Sequence, residues 1–132
     1  MMNTRTIFEI VYPENCRPVS VFLIDQERLI LEKIRAQLKN LQHRDYLLKP
    51  PTVKALKPKQ NKGLFELRTR INKRMTRIIF CLDDEDNVIL LHGFTKKQER
   101  DTAQELETAR ARKLALASGK AGVTIILRGG TL

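Results

Sequence analysis

Three strand patterns in close succession constrain the fold of this chain more than any other feature. Apolar and polar residues alternate over residues 64–71, as in a strand with one face toward water. Residues 75–82 and 88–95 are apolar almost throughout, as expected for central strands that are covered on both sides. Only short turns at residues 72–74 and 83–87 connect the three segments. Because short turns join antiparallel neighbours, the pattern predicts an antiparallel meander.

Helical patterns precede and follow this meander. Residues 7–12 have the β-branched and aromatic composition of a further strand, and Pro18 suits the first turn of a helix over residues 19–24. Asp25 is the expected N-cap of a second helix, although one bent helix is the alternative. The apolar residues that recur there at helical spacing are Ile30, Ile34, Leu38 and Leu41. The order of elements predicts an α+β fold, in which helices pack against one face of an antiparallel sheet.

The C-terminal region is predicted to contain one more helix. Thr102 and Glu105 have the spacing of a capping box at its start, and Gly119 suits the left-handed position just after its end. For the segment after it, an added edge strand over residues 123–127 and a loose tail are both open, and we favour the tail. Because 132 residues are about one domain's worth, we assign residues 1–117 to one domain and residues 118–132 to the tail or edge strand.

The formal net charge of the whole chain is +10, and its basic residues are concentrated in one region. Residues 51–82 contain nine lysines and arginines and a single acid, Glu66. The nine are Lys54, Lys57, Lys59, Lys62, Arg68, Arg70, Lys73, Arg74 and Arg77. This concentration favours a nucleic-acid partner, because neutralising phosphates releases bound counterions. The alternative is that these side chains only solvate the surface.

Several classes of protein are disfavoured by the sequence. No run approaches the roughly 20 apolar residues that a membrane-spanning helix needs, and residues 1–17 lack the apolar core of a secretory signal. We therefore expect a cytoplasmic protein in which Cys16 and Cys81 stay reduced. Nucleotide-binding glycine loops, hydrolase motifs and zinc-site spacing are absent from the sequence. We expect neither a metal nor a cofactor, and interpret the acidic turn at residues 83–87 as solvated.

Two arginines in the meander are the main candidates for a catalytic site. Arg77 interrupts an apolar strand, where a guanidinium needs an anion or an open groove. Arg68 lies on the polar face of the preceding strand, with Glu66 and Arg70. If the turn at residues 72–74 pairs these strands, the two guanidiniums approach each other and form a phosphate site. The alternatives are an ion pair of Arg68 with Glu66 or another acid, and a purely structural role for Arg77.

Further basic residues extend this candidate site. Lys96 and Lys97 follow the third strand, where ammonium groups can stabilise the charge that develops on a phosphorane; otherwise they solvate the approach to the last helix. His92 has the chemistry of a general acid–base, although its apolar neighbours favour a hydrogen-bonded core histidine. Candidates for binding the nucleic-acid backbone are Lys54, Lys57, Arg70, Lys73 and Arg74.

Four sequence blocks follow one another in this region: KALK at residues 54–57, GLFELR at 63–68, RIIF at 77–80 and LLHGFTKK at 90–97. An alanine-spaced helix comes after them. Over roughly residues 7–116 this order resembles the RelE/ParE toxin superfamily, and within it the phage-derived HigB-like branch of type II toxin–antitoxin toxins. The resemblance implies an antiparallel sheet backed by N-terminal helices. Arg77 matches the superfamily's strand arginine and Arg68 the arginine of the ELR block. Lys96 and Lys97 match the basic pair after the last strand.

The same resemblance implies an activity and partners. The toxin would be an endoribonuclease that cleaves messenger RNA on the ribosome without a metal, with the RNA's own 2′-hydroxyl attacking the adjacent phosphate while basic residues orient and neutralise it. It would be neutralised by an antitoxin encoded beside it, usually a helix-turn-helix protein that carries the complex to operator DNA.

One departure from the family pattern leaves alternatives open. Several RNA-cleaving relatives carry a Tyr or His near the C-terminus for proton transfer, and neither residue follows Lys97 in this chain. Either His92 or a lysine moves the proton, or catalysis is purely electrostatic, or the activity is degenerate. A non-catalytic gyrase poison of the ParE kind, and a phage nucleic-acid-binding regulatory protein without toxicity, are the other interpretations.

Overall fold

The computed structural model describes residues 3–45, 52–57, 59–96 and 102–131. The predicted α+β fold is confirmed, with two helices before the meander and one after it. The strands are β1 (Asn3–Thr4), β2 (Ile7–Val11), β3 (Val53–Ala55), β4 (Phe65–Ile71), β5 (Arg74–Leu82), β6 (Val88–Thr95), β7 (Gly122–Leu127) and β8 (Gly130–Thr131). The helices are α1 (Pro18–Ile24), α2 (Arg28–Gln42) and α3 (Thr102–Ala117). In the described part of the chain, no helix is long and apolar enough to cross a membrane.

The main sheet has six strands in the order β3-β4-β5-β6-β2-β7. The predicted meander is confirmed, since β4, β5 and β6 are antiparallel neighbours. The expectation of an antiparallel sheet fails at one pair, because β2 runs parallel to β6. A parallel pair needs a long connection. Here α1 and α2 carry the chain from β2 to the far edge at β3, and the meander then returns to β2.

Helices α1 and α2 cover one face of this sheet. Pro18 is the first residue of α1, as predicted, but the two helices are separate and the predicted cap at Asp25 is wrong. Asp25 follows α1, and Glu27 occupies the N-cap position of α2. All four apolar residues of the predicted stripe are buried against the sheet: Ile30, Ile34, Leu38 and Leu41. Their burial fixes α2 on the sheet.

Helix α3 lies on the opposite face, so the expectation that all helices share one face is wrong. Ala109 is fully buried there, next to Ile79, Cys81 and Leu91 of the central strands. The reason is visible in the sequence of β5 and β6, which are apolar on both sides and need cover on both. The sheet is therefore the middle layer of three.

The predicted C-terminal end of α3 is confirmed, whereas the predicted cap at its N-terminal end is wrong. Gly119 has a φ of 77°, the left-handed conformation expected after a helix. The predicted capping box is not formed. Thr102 is the first residue of α3 and its buried hydroxyl has no hydrogen-bond partner among the described residues, while Glu105 binds His92 instead. The carboxylate that the pattern assigned to the helix start thus serves the sheet.

The C-terminal segment is part of the fold and not the loose tail that we favoured. Strand β7 pairs antiparallel with β2 over five residue pairs, and β8 pairs with β1 in a small second sheet. Ile126 and Leu127 pack against the cluster under α1 and α2. These partly buried residues give the segment a reason to be ordered that its Gly-rich sequence hides.

Candidate active site

The hairpin of β4 and β5 brings the two candidate arginines together. Arg68 lies directly opposite Arg77 in the antiparallel register. The turn consists of Asn72 and Lys73 and is one residue shorter than the predicted turn at residues 72–74, because Arg74 already pairs with Ile71. Residues directly opposite each other project to the same face, with Cβ atoms about 4.5–5.5 Å apart. Asn72 has a φ of 55°, which the two-residue turn requires and Asn tolerates. The two guanidiniums therefore share one side of the sheet, the side on which α3 lies.

One carboxylate, that of Glu66, holds both guanidiniums. Arg77 Nη1 lies 3.1 Å from Glu66 Oε1 and 3.2 Å from Oε2, and Arg68 Nε lies 2.9 Å from Oε1. The Glu66 side chain is 1% exposed and that of Arg77 9%, whereas Arg68 is 28% exposed. Among the described residues, two positive charges thus face a single negative charge. Sequence reasoning treated Glu66 only as a competing partner for Arg68, although the alternation of β4 places residues 66 and 68 on one face.

Arg77 retains unused hydrogen-bonding capacity. Its Nη2 donates to the Met75 sulfur at 3.4 Å, and its buried Nε has no hydrogen-bond partner among the described residues. An unpaired buried donor on a charged group is costly, and most buried polar atoms avoid it. Because this Nε is buried, the exposed part of the cluster is chiefly Arg68.

Three more cations surround this cluster. Lys54 of β3 lies opposite Glu66, and Arg70 lies opposite Met75. The backbone N–H of Lys96 donates to the Met75 carbonyl at 2.9 Å. Lys96 therefore lies beside Met75, in line with the cross-strand pairs of Arg68 and Arg70. Lys54 and Arg70 are exposed and Lys96 is half-buried. Among the described strand residues of these cross-strand pairs, Glu66 is the only acid.

A cleft of about 430 Å³ opens beside Arg68, at the sheet edge beyond the end of β3. It is lined by Lys33, Gln37, Thr52, Arg68, Arg70 and Met75. Side chains of α2 occupy the exposed edge of β4, because Gln37 Nε2 donates to the Arg68 carbonyl at 2.9 Å and Lys33 donates to the Arg70 carbonyl. These bonds fix the backbone of β4 at Arg68 and Arg70.

The remaining predicted site residues lie away from the arginine cluster or outside the described residues. Lys73 and Arg74 are exposed at the hairpin turn, where Arg74 pairs with Glu27, the N-cap residue of α2. Lys57 is exposed in the loop after β3. Lys97 lies outside the described residues. The structure thus brings Arg68, Arg77, Lys54, Arg70 and Lys96 together and leaves Lys57, Lys73 and Arg74 at the margin.

His92 is held by two side chains of α3. A guanidinium only donates, so Nδ1 accepts from Arg112 Nη1 at 3.0 Å, and Nε2 carries the proton that it shares with Glu105. Burial lowers the pKa of His92 and nearby Arg112 lowers it further, although the hydrogen bond to Glu105 opposes them. The ring also stacks on Phe94, with centroids 5.6 Å apart. This is the arrangement of the hydrogen-bonded core histidine that the sequence favoured.

No metal centre is visible in the described part of the chain, where no group of three or more His, Cys, Asp or Glu side chains is placed to hold an ion. The acidic turn serves the backbone. Asp83 Oδ1 accepts from the backbone N–H groups of Glu85 and Asn87, at 2.9 and 2.8 Å, and Asp86 pairs with Arg5 at 2.6 Å. The carboxylates of Asp83 and Asp86 thus serve the turn and Arg5, while Asp84 and Glu85 are exposed, as expected for a solvated turn.

Comparison with known proteins places this arrangement in a family. No curated protein matches the chain. The family described as phage-derived protein Gp49-like (DUF891) matches residues 22–114, a stretch that contains the whole arginine cluster, His92 and most of α3. Strands β2 and β7 lie outside the match. Since the match spans well over half of its length, the chain belongs to the family of phage-derived Gp49-like proteins.

Proposed function

We propose that this protein is an endoribonuclease toxin of the HigB-like type, which cleaves messenger RNA on the ribosome without a metal. The observation that carries the proposal is the pair of cross-strand arginines sharing one buried carboxylate, with an Arg77 donor left unpaired among the described residues. Two guanidiniums around one carboxylate leave a net positive charge at a fixed place. A phosphodiester, singly charged and with two acceptor oxygens, suits such a site.

The proposed chemistry uses the RNA, this surface and water. The 2′-oxygen attacks the adjacent phosphorus as its proton leaves, the bond from phosphorus to the 5′-oxygen breaks, and that oxygen takes up a proton. A 2′,3′-cyclic phosphate and a 5′-hydroxyl are the products. In the proposal Arg68 and Arg77 bind the non-bridging oxygens, and Lys96 and Lys97 stabilise the additional charge of the transition state.

In this proposal water takes the proton of the 2′-hydroxyl and a lysine ammonium gives a proton to the leaving 5′-oxygen, so His92 transfers none. Both ring nitrogens of His92 are engaged, by Arg112 and Glu105, and the ring is only 14% exposed. A general base must reach the proton that it removes. His92 enters instead as a positioning residue, because it ties the start of α3 to the strand that precedes Lys96.

The partners follow from the same proposal. A HigB-like toxin in the cytoplasm is accompanied by an antitoxin encoded beside it, and we propose a helix-turn-helix protein that brings the complex to operator DNA. A small neighbouring gene with this motif would support the assignment. The gyrase poison is the competing candidate, favoured by the lack of Tyr and His after Lys97.

Induced expression of Arg77→Ala and Arg68→Ala tests the role of the arginines. Removing one charge-stabilising donor lowers such rates by about 10²–10³-fold, so both variants should relieve growth arrest. Arg28→Ala is the matched control, since Arg28 is 89% exposed on α2, away from the cluster. Primer extension on translated messages should show discrete cuts with wild type and control and none with the cluster variants.

Two results would contradict the proposal. Undiminished toxicity of a folded Arg77→Ala protein, verified by circular dichroism and thermal unfolding, would remove the role of the cluster. Intact messages together with DNA breaks on induction would favour the gyrase poison.

A further inference from the structure

We infer that a second basic surface, formed by Lys62, Arg110 and Lys113, binds the backbone of the RNA beside the cleaved phosphate. This inference rests on the proposed function in one respect only, that the ligand is RNA. The three residues come from the loop before β4 and from one side of α3. None of them belongs to the arginine cluster.

The cations of this surface are held in place by neutral partners. Arg110 Nη1 donates to Asn61 Oδ1 at 2.6 Å, and Asn61, only 1% exposed, donates in turn to the Lys57 carbonyl at 3.1 Å. Lys113 Nζ donates to the Lys62 carbonyl at 3.3 Å. Because an amide and a carbonyl orient a cation without cancelling its charge, the positive field of the surface persists.

No carboxylate neutralises this surface in the described part of the chain. Glu107, the nearest acid along α3, forms no ion pair with Arg110 or Lys113 among the described residues. The surface includes a cleft of about 280 Å³ with Leu114, 70% exposed, at its wall. An orienting amide, three cations and an apolar side chain suit a ribose-phosphate chain, whose sugars and bases can cover apolar surface.

The position of the surface makes it an extension of the candidate active site. Arg110 and Lys113 contact the loop just before Leu64, and Arg68 lies four residues further along β4. At a strand rise of about 3.3 Å per residue, the two ends are roughly 13 Å apart. Exposed Lys54, opposite Glu66, lies between them on the same face. A single strand of RNA can thus meet cations continuously from Arg70 to Lys113.

Salt-dependent binding of a fluorescein-labelled 16-nucleotide single-stranded RNA to the full chain tests the inference. Each phosphate contact on a single strand contributes about 0.7 to the slope of log K against log salt. Arg110→Ala/Lys113→Ala should therefore reduce the slope by about 1.4. Between 50 and 200 mM KCl, the wild type should lose roughly sevenfold more affinity than this variant. Alanine favours helix, so α3 should persist.

Arg35→Ala/Lys39→Ala is the matched control. It removes one arginine and one lysine from exposed positions of α2, on the other side of the sheet, and its slope should stay near that of the wild type. Equal slope losses in both double variants would reduce the effect to net charge and overturn the inference, and so would an unchanged slope in Arg110→Ala/Lys113→Ala. Undiminished message cleavage by Arg68→Ala would instead sink the proposed function and leave the binding result standing.

Discussion

The substitution Glu66→Gln removes the negative charge that holds Arg68 and Arg77 while it preserves the shape of the side chain. Glutamine still offers one oxygen as an acceptor, so the packing of β4 and β5 need not change. What changes is the charge balance, because two guanidiniums on directly opposite residues then face each other without a carboxylate. The perturbation therefore changes charge and hydrogen bonding while it keeps the size of the side chain.

The expected loss follows from burial. At an effective dielectric constant of about 20, unit charges 4 Å apart interact by about 4 kcal/mol, and Arg77 lies closer than that to Glu66. Arg68 contributes less, since at 28% exposure water screens part of its charge. Removing one partner of a buried ion pair usually costs about 3–5 kcal/mol, which we expect for Glu66→Gln. Glu66→Gln/Arg77→Met should recover most of this loss, because it removes the uncompensated buried charge.

Urea unfolding followed by circular dichroism measures these free energies. Glu32→Gln is the control with the same chemistry: its pair with Arg28 has a similar distance, 3.0 Å, but both side chains are more than half exposed, and the loss should stay below about 0.5 kcal/mol. If Glu66→Gln costs no more than this control, the two guanidiniums do not depend on Glu66. A shared carboxylate would then not be what holds the cluster together.

Two further predictions concern residues outside the cluster. Burial raises the pKa of the Cys81 thiol to about 11, with nearby Asp83 adding to the increase and Lys113 opposing it. The thiolate is the reactive form, so Ellman's reagent at pH 8 should label only the exposed Cys16 in native protein and both thiols in denaturant. The labelling rate of Cys81 in native protein should rise about tenfold per pH unit toward pH 11. Rapid labelling of a native Cys16→Ser variant at pH 8 would contradict the burial of Cys81. Gly93→Ala should lower the thermal midpoint by several degrees, because the new Cβ would lie 2.3 Å from the Phe22 ring and overpacking costs about 1–3 kcal/mol. Gly122→Ala should leave the midpoint unchanged, because no atom lies within 4 Å of the new Cβ. Equal stability of the two glycine variants would show that Phe22 can move aside.

The parts of the fold that local pattern determines could be predicted from the sequence. The hairpin of β4 and β5 and the approach of Arg68 to Arg77 were predicted, although the observed turn, Asn72 and Lys73, is one residue shorter than the predicted turn at residues 72–74. The stripe of α2 likewise specifies its buried side. In both cases neighbours in sequence decide the structure.

Features that depend on distant parts of the chain could not be predicted in this way. The place of β7 beside β2 depends on an edge that only the assembled sheet presents. Thr102 and Glu105 have the local pattern of a helix cap, yet a tertiary contact with His92 takes the carboxylate away. The role of Glu66 was missed for a related reason, because one carboxylate was assigned to one arginine although the register gives it two.

In the proposed function, the shared carboxylate makes the cluster both stable and attractive to an anion. Without Glu66, two adjacent guanidiniums would repel each other and would have to be brought together by the substrate. With two carboxylates, the charge would be cancelled and no phosphate would be drawn in. In the proposed function, one carboxylate for two guanidiniums holds both in place beforehand and leaves a net positive charge among the described residues, which a phosphate meets at the more exposed Arg68. Glu66 should therefore matter for both stability and activity, whereas Arg68, more exposed, should matter chiefly for activity.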